Sequence, residues 1–175
     1  METFETSRLL IRPLSLQDRA FYCRCYTDPL LMQHIASPLD FEDASHSFSA
    51  ALKKSSRNPV RRWTWVMQEK VSDAEIGLLG LVGDNNIPEA INAEIGAVIN
   101  AEFQNQGFAA EAINALVNVA FEHTSLAELH TNHAHANKAA NGLMSKLGFQ
   151  YFEASSSSRW QLCRANWQDS NNQWC

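Results

Sequence analysis

The amino-acid sequence predicts an α/β protein with a mixed β-sheet and helices on its faces. Three observations support this fold class: short runs of alternating apolar residues, longer runs with apolar residues at helical spacing, and turn-forming segments between them. The 175 residues are 45% hydrophobic, which is enough for the core of one domain. No internal repeat or linker divides the sequence, so we expect a single domain over residues 1–175.

The first predicted elements are a strand and a helix. Arg8 to Leu14 has the composition of a strand, and Pro13 is expected to end it. Ser15 is followed three residues later by Asp18, a capping-box spacing. This spacing predicts a helix that runs through about Tyr26.

The middle of the chain predicts one helix and three strands. Asp40 can cap a helix that runs to Lys54, because Phe48, Ala51 and Leu52 fall on one face. A loop rich in turn formers is expected at residues 84–92, between the second and third strands. The predicted strands are Trp63 to Met67, Glu75 to Gly83 and Ala93 to Ile99.

The last part of the chain predicts two helices and three strands. Apolar residues recur at i, i+3, i+4, i+7 and i+8 from Ile113 to Phe121, which predicts an amphipathic helix. Leu126 to Ala134 is a predicted strand, and Asn137 begins a second helix that Gly148 ends as a C-terminal cap. The final strands, on either side of a serine-rich turn, are Phe149 to Ala154 and Arg159 to Trp167. The element order is β-α-α-β-β-β-α-β-α-β-β.

Composition and charge argue against several classes of function. With 14 basic and 19 acidic residues, the net charge of −5 lacks the basic excess of nucleic-acid-binding proteins, so we expect no nucleic-acid partner. No run approaches the roughly 20 apolar residues of a membrane span, and the N-terminus lacks a signal-peptide pattern. We therefore expect a cytoplasmic protein with no membrane association. The cysteines lack the spacing of a zinc site and are expected to be free thiols: Cys23, Cys25, Cys163 and Cys175.

The segment QNQGFAAEAI, residues 104–113, joins a predicted strand to the longest predicted helix. A helix N-terminus has unpaired backbone N–H groups and a partial positive charge, so it can bind phosphate without basic side chains. Gly107 removes a Cβ that would block a ligand, and Ala109 keeps the next turn shallow. Gln104 and Gln106 can add amide donors. The segment is typical of a pyrophosphate-binding turn, although a glycine that only makes the bend is an alternative.

The same segment resembles the Q/R-x-x-G-x-G/A motif of the GNAT N-acetyltransferase superfamily, with Gln104, Gly107 and Ala109 at the motif positions. Segments that resemble the family occur in its order and cover nearly all of the domain: TSRLLIRPL, AEIGAVINAEFQNQGFAAEAI and NKAANGLMSKLGF. The resemblance is to the branch that includes the ribosomal-protein N-terminal acetyltransferases. It implies a GNAT fold, a mostly antiparallel twisted sheet of about seven strands that splays between strands 4 and 5, with about four flanking helices.

The resemblance also implies that acetyl coenzyme A (acetyl-CoA) is the co-substrate. Backbone groups of Val98 and Ile99 would pair with its pantetheine arm like an added strand. Asn137 would hydrogen-bond the same arm, with a plain helix cap as the alternative. Ala140, Asn141 and Met144 would lie along the cofactor side of that helix. The amides that would hold the pyrophosphate belong to Gln104, Asn105, Gln106, Gly107, Phe108 and Ala109.

The sequence departs from the family pattern at the position of the general acid. Met144 stands seven residues after Asn137, where some members have a tyrosine. Ala140 stands where the ribosomal-protein branch commonly has a serine. Ser145 could substitute only if the helix were rotated or the substrate approached from that side. Glu94 is the best candidate for the general base, directly or through a water, with a surface or structural glutamate as the alternative.

Three histidines in and directly after one predicted strand raise two further hypotheses. Alternation puts His133 and His135 on one face and His130 on the other, and no cysteine or aspartate joins them at ligand spacing. We therefore expect no metal site. His133 or His135 could instead act as a base near the cleft.

The acceptor is expected to be a primary amine. An α-amine with a pKa near 8 is about a tenth neutral at pH 7, whereas a lysine near 10.4 is neutral in about one molecule in 2,500. A site with few catalytic groups therefore favours a protein N-terminus. The alternatives are a small-molecule amine, such as a polyamine, an amino acid or an aminoglycoside, and a non-catalytic acyl-CoA-binding module. Either a monomer or a homodimer is consistent with the sequence.

Overall fold

An eight-stranded sheet forms the centre of the molecule in the computed structural model, which describes residues 2–55, 62–83, 92–153 and 157–167. The strand order is β1-β2-β3-β4-β5-β6-β8-β7. Neighbouring strands are antiparallel except β5 and β6, which are parallel. The strands are β1 (Phe4–Glu5), β2 (Leu9–Pro13), β3 (Arg62–Glu69), β4 (Glu75–Gly83), β5 (Asn92–Ile99), β6 (Glu128–His133), β7 (Gln150–Glu153) and β8 (Ser158–Cys163).

Helices cover both faces of this sheet. Single turns of 3₁₀-helix at Leu16–Asp18 and Ala101–Phe103 precede the longer elements. No helix in the described ranges is both long enough and apolar enough to span a bilayer. The α-helices are α1 (Arg19–Thr27), α2 (Pro29–Met32), α3 (Phe41–Ser55), α4 (Phe108–His123) and α5 (Lys138–Lys146).

Two predicted helix starts are confirmed by their hydrogen bonds. The carboxylate of Asp18 accepts the backbone N–H of Ser15 at 2.7 Å and the guanidinium of Arg12 at 2.8 and 2.9 Å. Burial of Asp18 disfavours its charged form, but the hydrogen bonds from Arg12 and Ser15 outweigh burial and lower its pKa. Asp40 accepts the backbone N–H of Asp43 at 2.8 Å at the start of α3. Both caps are local contacts, which is why their spacing was readable in the sequence.

The structure differs from the predicted elements at three places. The short elements β1 and α2 are additions to the predicted order. The last strand ends at Cys163, and residues 164–167 are helical where the sequence predicts strand to Trp167. The guanidinium of Arg164 donates to the carbonyl oxygens of Thr124 and Leu126 at 2.7 and 2.8 Å. These contacts connect distant parts of the chain, so local apolar spacing could not reveal them.

Some predicted features lie wholly or partly beyond the described residues. The predicted loop at 84–92 is described only at Asn92, which begins β5, and the serine-rich turn only at 157–158. Cys175 is outside the described ranges. Cys23, Cys25 and Cys163 are free thiols, as predicted.

The core is divided between the two faces of the sheet. On one face, Trp65, Leu79 and Ile95 pack with α4 and α5. On the other face, Val66 and Leu78 pack with α1 and α3. Because both faces of the central strands are covered, these strands are apolar on both sides rather than alternating.

The sheet opens between β5 and β6, which are the fourth and fifth predicted strands because β1 is an addition, as the resemblance to the GNAT fold predicts. Parallel pairing joins Asn92 to Glu128 and Glu94 to His130, where the registered pairs end. β5 nevertheless continues to Ile99 along β4, and β6 continues along β8. Residues 95–99 of β5 therefore have a strand on one edge and a wedge-shaped opening on the other.

Candidate active site

A cavity of about 420 Å³ occupies the opening between β5 and β6. Gly80 of β4 and Gly96 of β5 are a cross-strand pair at its floor. A Cβ placed on Gly96 would meet no atom within 4 Å, and one on Gly80 would meet only backbone oxygens at 3.9 Å. Packing therefore does not require glycine at these positions. Because the two glycines have no side chains, this part of the cavity is lined by backbone alone and stays open.

One side of the cavity, which we call the α1 side, is the sheet face that α1 and α3 cover. Alternation along β5 places Glu94, Gly96 and Val98 on this face. Tyr26 and His34 line the cavity from the helical layer. Burial, with a further contribution from the neighbouring Tyr22, raises the pKa of the Tyr26 phenol, so it is neutral at physiological pH.

The other side, which we call the α5 side, is the face that α4 and α5 cover. Ala109, in the first turn of α4, lines the cavity, as do Asn137, Ala140 and Met144. Because Ala109 lines the cavity, the N-terminus of α4 faces it. The backbone N–H groups of this first turn can bind an anionic ligand there. This arrangement fits the predicted pyrophosphate site.

The loop before α4 has the backbone that its glycine predicts. Gly107 is left-handed with φ +84°, and Asn105 is left-handed with φ +60°. The side-chain amide of Gln104 donates to the carbonyl of Ile99 at 2.9 Å, and that of Gln106 donates to the carbonyl of Glu102 at 2.8 Å. The side chains of both glutamines therefore stabilise the loop by hydrogen bonds to the backbone. The sequence predicted a different role for them, as donors to the ligand.

A second set of contacts, not predicted from the sequence, ties this loop to the start of the sheet. Glu111 of α4 accepts the backbone N–H of Arg8 at 2.9 Å, its guanidinium at 2.6 Å and the hydroxyls of Thr6 and Ser7 at 2.5 and 3.1 Å. Burial alone would raise the pKa of Glu111, but these hydrogen bonds outweigh it and lower the pKa to about 2. The carboxylate therefore stays charged and fixed throughout the physiological range.

The guanidinium of Arg8 reaches the loop itself. It donates to the carbonyl of Gln106 at 2.9 Å and lies 4.3 Å from the ring centroid of Phe108. A Cβ on Gly107 would lie 3.4 Å from this guanidinium. We call Arg8, Glu111 and their contacts the loop brace. No sequence signal could have identified it, because its two charged residues are 103 positions apart.

The remaining predicted cofactor residues divide by how they could act. The side chains of Ile99 and Phe108 are buried, so these residues can offer a ligand only their backbone groups. The carboxamide oxygen of Asn137 accepts the N–H of Ala140 at 3.0 Å, which makes it the cap of α5. Its position in the cavity lining is also compatible with the predicted contact to a pantetheine arm.

The two predicted catalytic residues lie in different surroundings. Glu94 is exposed, lines the cavity on the α1 side and accepts a hydrogen bond from Asn132 at 3.5 Å. Ser145 is also exposed but is not among the residues that line the cavity, whereas Met144 is buried and lines it. The helix is thus not rotated so as to bring Ser145 into the cavity, and a substrate would have to approach from outside the cavity to reach it. Glu94 lines the cavity as its predicted role requires.

The three histidines are also separated. His133 lines the cavity on the α5 side, and its Nε2 lies 3.1 Å from the carboxamide oxygen of Asn141. His135 pairs through Nδ1 with the hydroxyl of Ser158 at 3.0 Å and does not line the cavity. Among the described residues, no group of three or more His, Cys, Asp or Glu side chains could hold a metal ion.

Comparisons with known proteins agree with this geometry. Residues 8–150 match the family model described as an acetyltransferase (GNAT) domain. The chain is 27% identical over 154 residues to a protein of Bacillus licheniformis named an uncharacterized N-acetyltransferase p20, a match that covers 86% of this chain and 83% of that protein.

Two solved structures have the same fold. One is RimL, a ribosomal L7/L12 alpha-N-protein acetyltransferase in complex with coenzyme A, with a TM-score of 0.79, 14% identity and coverage of 93% of this chain and 98% of that one. The other is a spermidine N-acetyltransferase of Vibrio cholerae in complex with CoA and spermine, with a TM-score of 0.77, 20% identity and coverage of 93% and 99%.

Proposed function

The chain belongs to the GNAT family of acetyltransferases, which use acetyl-CoA as co-substrate, and on this premise we propose that its acceptor is a protein N-terminal α-amine. Its fold is shared by an enzyme named for a protein α-amine and by one named for a polyamine, so overall likeness does not separate these acceptors. The charges around the cavity support the α-amine as the proposed acceptor.

When bound, acetyl-CoA supplies an acetyl group activated as a thioester. The backbone N–H groups at the start of α4 would hold its pyrophosphate, because they are unpaired donors at the positive end of a helix. Val98 and Ile99 would pair with the extended arm along the open edge of β5. Asn137 would add a side-chain contact on the α5 side. Glu94 and the glycine floor line the same cavity as these residues.

The observation that carries the proposal is the number of carboxylates around the cavity. Among the described lining residues, Glu94 is the single carboxylate, and Arg62 and His34 line the same α1 side. A polyamine carries several positive charges along its length, and each favours its own carboxylate partner. A described lining with one carboxylate and a nearby arginine suits an acceptor with one positive charge at its reactive end, as in a peptide N-terminus.

Proton chemistry favours the α-amine over a lysine side chain. The acceptor must lose a proton before its nitrogen can attack, and Glu94 can accept that proton directly or through water because it is exposed. An α-amine is roughly 200 times more often neutral at pH 7 than a lysine amine, given their ordinary pKa values. An α-amine therefore needs less assistance from the few catalytic groups present.

A matched panel of acceptors tests this proposal. We would measure thiol release from acetyl-CoA with a lysine-free peptide bearing a free N-terminus, the same peptide with a blocked N-terminus and one lysine, spermidine, and a small monoamine. We expect kcat/KM at neutral pH to be at least about 10-fold higher for the free N-terminus. A higher kcat/KM for lysine, spermidine or the monoamine would show that the proposed acceptor is wrong.

A further inference from the structure

The α5 side of the cavity lacks a proton donor at the two positions where the family pattern offers one. Ala140 and Met144 both line the cavity and neither can donate a proton. The carboxamide oxygen of Asn137 accepts the hydrogen bond that caps α5, and a carboxamide does not titrate. Among the described lining residues, the titratable group on the α5 side is His133.

The hydrogen bonds of the neighbouring Asn141 determine which ring nitrogen of His133 carries a hydrogen. The indole N–H of Trp160 donates to the carboxamide oxygen of Asn141 at 2.9 Å, and the amide nitrogen of Asn141 donates to the carbonyl of His135 at 3.3 Å. An indole nitrogen can only donate and a backbone carbonyl can only accept, so these two contacts fix which end of the carboxamide is oxygen. The carboxamide oxygen is therefore the atom 3.1 Å from Nε2 of His133.

Since that oxygen can only accept, Nε2 of His133 must carry a hydrogen. The other ring nitrogen, Nδ1, is then the one that gains and loses a proton. Trp160 and Asn141 act as positioning residues, because they hold the ring in one tautomer and one orientation. His133 lies on β6, and its ring lines the α5 side of the cavity. The start of α4 lies on the same side of the cavity.

We propose that His133 is the general acid of this site, a role that rests on the proposed function. As the C–N bond of the product forms and the C–S bond breaks, His133 donates its Nδ1 proton to the departing sulfur. Glu94, on the opposite face of the sheet, passes the first proton of the ammonium group to water before the attack and accepts the second proton from the nitrogen as the amide forms. Exchange with water then returns one proton to His133 and removes the second from Glu94, so the overall reaction converts ammonium and thioester into amide, free thiol and one proton released to water.

Other ionisable groups share the cavity and must be separated from His133 in any pH profile. They come from the helical layer, from β3 and from β5, and are Tyr26, His34, Arg62 and Glu94. Because His34 is the other histidine that lines the cavity, its titration has to be distinguished by substitution. His135 serves as the matched control, because it lies two residues after His133, beyond the end of β6, and its Nδ1 pairs with the hydroxyl of Ser158 outside the cavity.

The first test needs no turnover. Long-range ¹H–¹⁵N NMR spectra of the wild-type protein report which ring nitrogen carries the hydrogen, and the resonances of His133 are assigned by their loss in His133→Gln. We expect the Nε2–H tautomer in the neutral ring. Finding the Nδ1–H tautomer would overturn the proposal, because Nδ1 would then keep its hydrogen in the neutral ring. Nδ1 could not then be the nitrogen that exchanges a proton.

The second test compares His133→Gln with His135→Gln in steady-state kinetics. Glutamine can still donate to Asn141 but cannot titrate, so we expect kcat to fall about 100-fold and one ionisation to disappear from its pH profile. The KM for acetyl-CoA should change little, and His135→Gln should match the wild type. Circular dichroism and acetyl-CoA binding confirm that each variant is folded.

The possible outcomes are distinguishable. Turnover by the wild type with an unchanged pH profile in His133→Gln overturns the role of His133 and leaves the proposed function intact. A wild type that turns over only lysine or spermidine overturns the proposed acceptor, while the loss of an ionisation in His133→Gln would still support the general acid. No turnover with any amine refutes both.

Discussion

The loop that would hold the cofactor and the cavity rim around Glu94, where the proton transfer would occur, are built in opposite ways. In the loop brace, one largely buried carboxylate, Glu111, accepts hydrogen bonds from three consecutive residues of the N-terminal segment, and the guanidinium of Arg8 holds the loop backbone. At the rim, Glu94 is exposed and has one long contact with Asn132. The candidate binding loop is therefore held by several hydrogen bonds, whereas Glu94, the candidate proton acceptor, is open to water.

This contrast makes different predictions for substitutions in the two regions. A change in the loop should alter binding of the cofactor or the stability of the fold. A change at the rim should alter the reaction rate and leave both of those properties nearly unchanged.

The largest effect is expected for Gly107→Glu. The new carboxylate would lie at the start of α4, where it would block and repel a pyrophosphate, so calorimetry should detect no binding of acetyl-CoA. Gly148→Glu is the matched control, because Gly148 is also left-handed, with φ +79°, and its Cβ would meet no atom within 4 Å. Both variants carry the same backbone strain and the same charge. Binding that survives in Gly107→Glu, or is lost equally in Gly148→Glu, would contradict a phosphate site at this loop.

The next effect is expected for Glu94→Gln. Removing the proton acceptor should lower kcat/KM for an α-amine about 100-fold at neutral pH, and the deficit should shrink at higher pH as more of the amine becomes neutral. Steady-state kinetics over a pH range would measure this. Glu42→Gln, an exposed glutamate in the first turn of α3, is the control and should have wild-type rates. An equal deficit at all pH values would indicate that Glu94 positions the substrate rather than accepting its proton.

The smallest effect is expected for Glu111→Gln, and it should appear in stability rather than in catalysis. Loss of the charge-assisted contacts in the loop brace should lower the free energy of unfolding by about 2 kcal/mol at neutral pH. Because the folded-state pKa of Glu111 is depressed to about 2, its stabilisation is full above its ordinary value and is lost as the pH falls toward 2. Urea unfolding at neutral and acidic pH should therefore show the difference from wild type narrowing in acid.

The exposed Glu122, on the same helix, gives the control for that experiment. Glu122→Gln should leave the free energy of unfolding nearly unchanged at every pH. If Glu111→Gln were as stable as the wild type, the loop would not depend on the brace. The contrast between the two regions would then rest on the backbone of Gly107 alone.

Local features of the fold were predictable from sequence. The caps at Asp18, Asp40 and Asn137 each form a hydrogen bond between residues three positions apart. The spacing of capping residues in the sequence was therefore enough to predict them. Gly107 and Gly148 were recognisable because few other residues tolerate a left-handed backbone. The positions of β1 and of the helical residues 164–167 were not predictable, because β1 gains its structure from pairing with β2 and the second segment follows contacts to α4.

The candidate site divides in the same way. The sequence by itself determined the family, the candidate phosphate-binding turn and the presence of methionine rather than tyrosine at position 144, since each is a matter of residue type at a fixed spacing. Only the tertiary structure decided that Met144 rather than Ser145 lines the cavity, that His133 rather than His135 reaches it, and that Arg8 braces the loop through Glu111. Those facts depend on how helices and strands are rotated and packed against each other. Such packing is set by contacts between residues far apart in the chain, which no local pattern records.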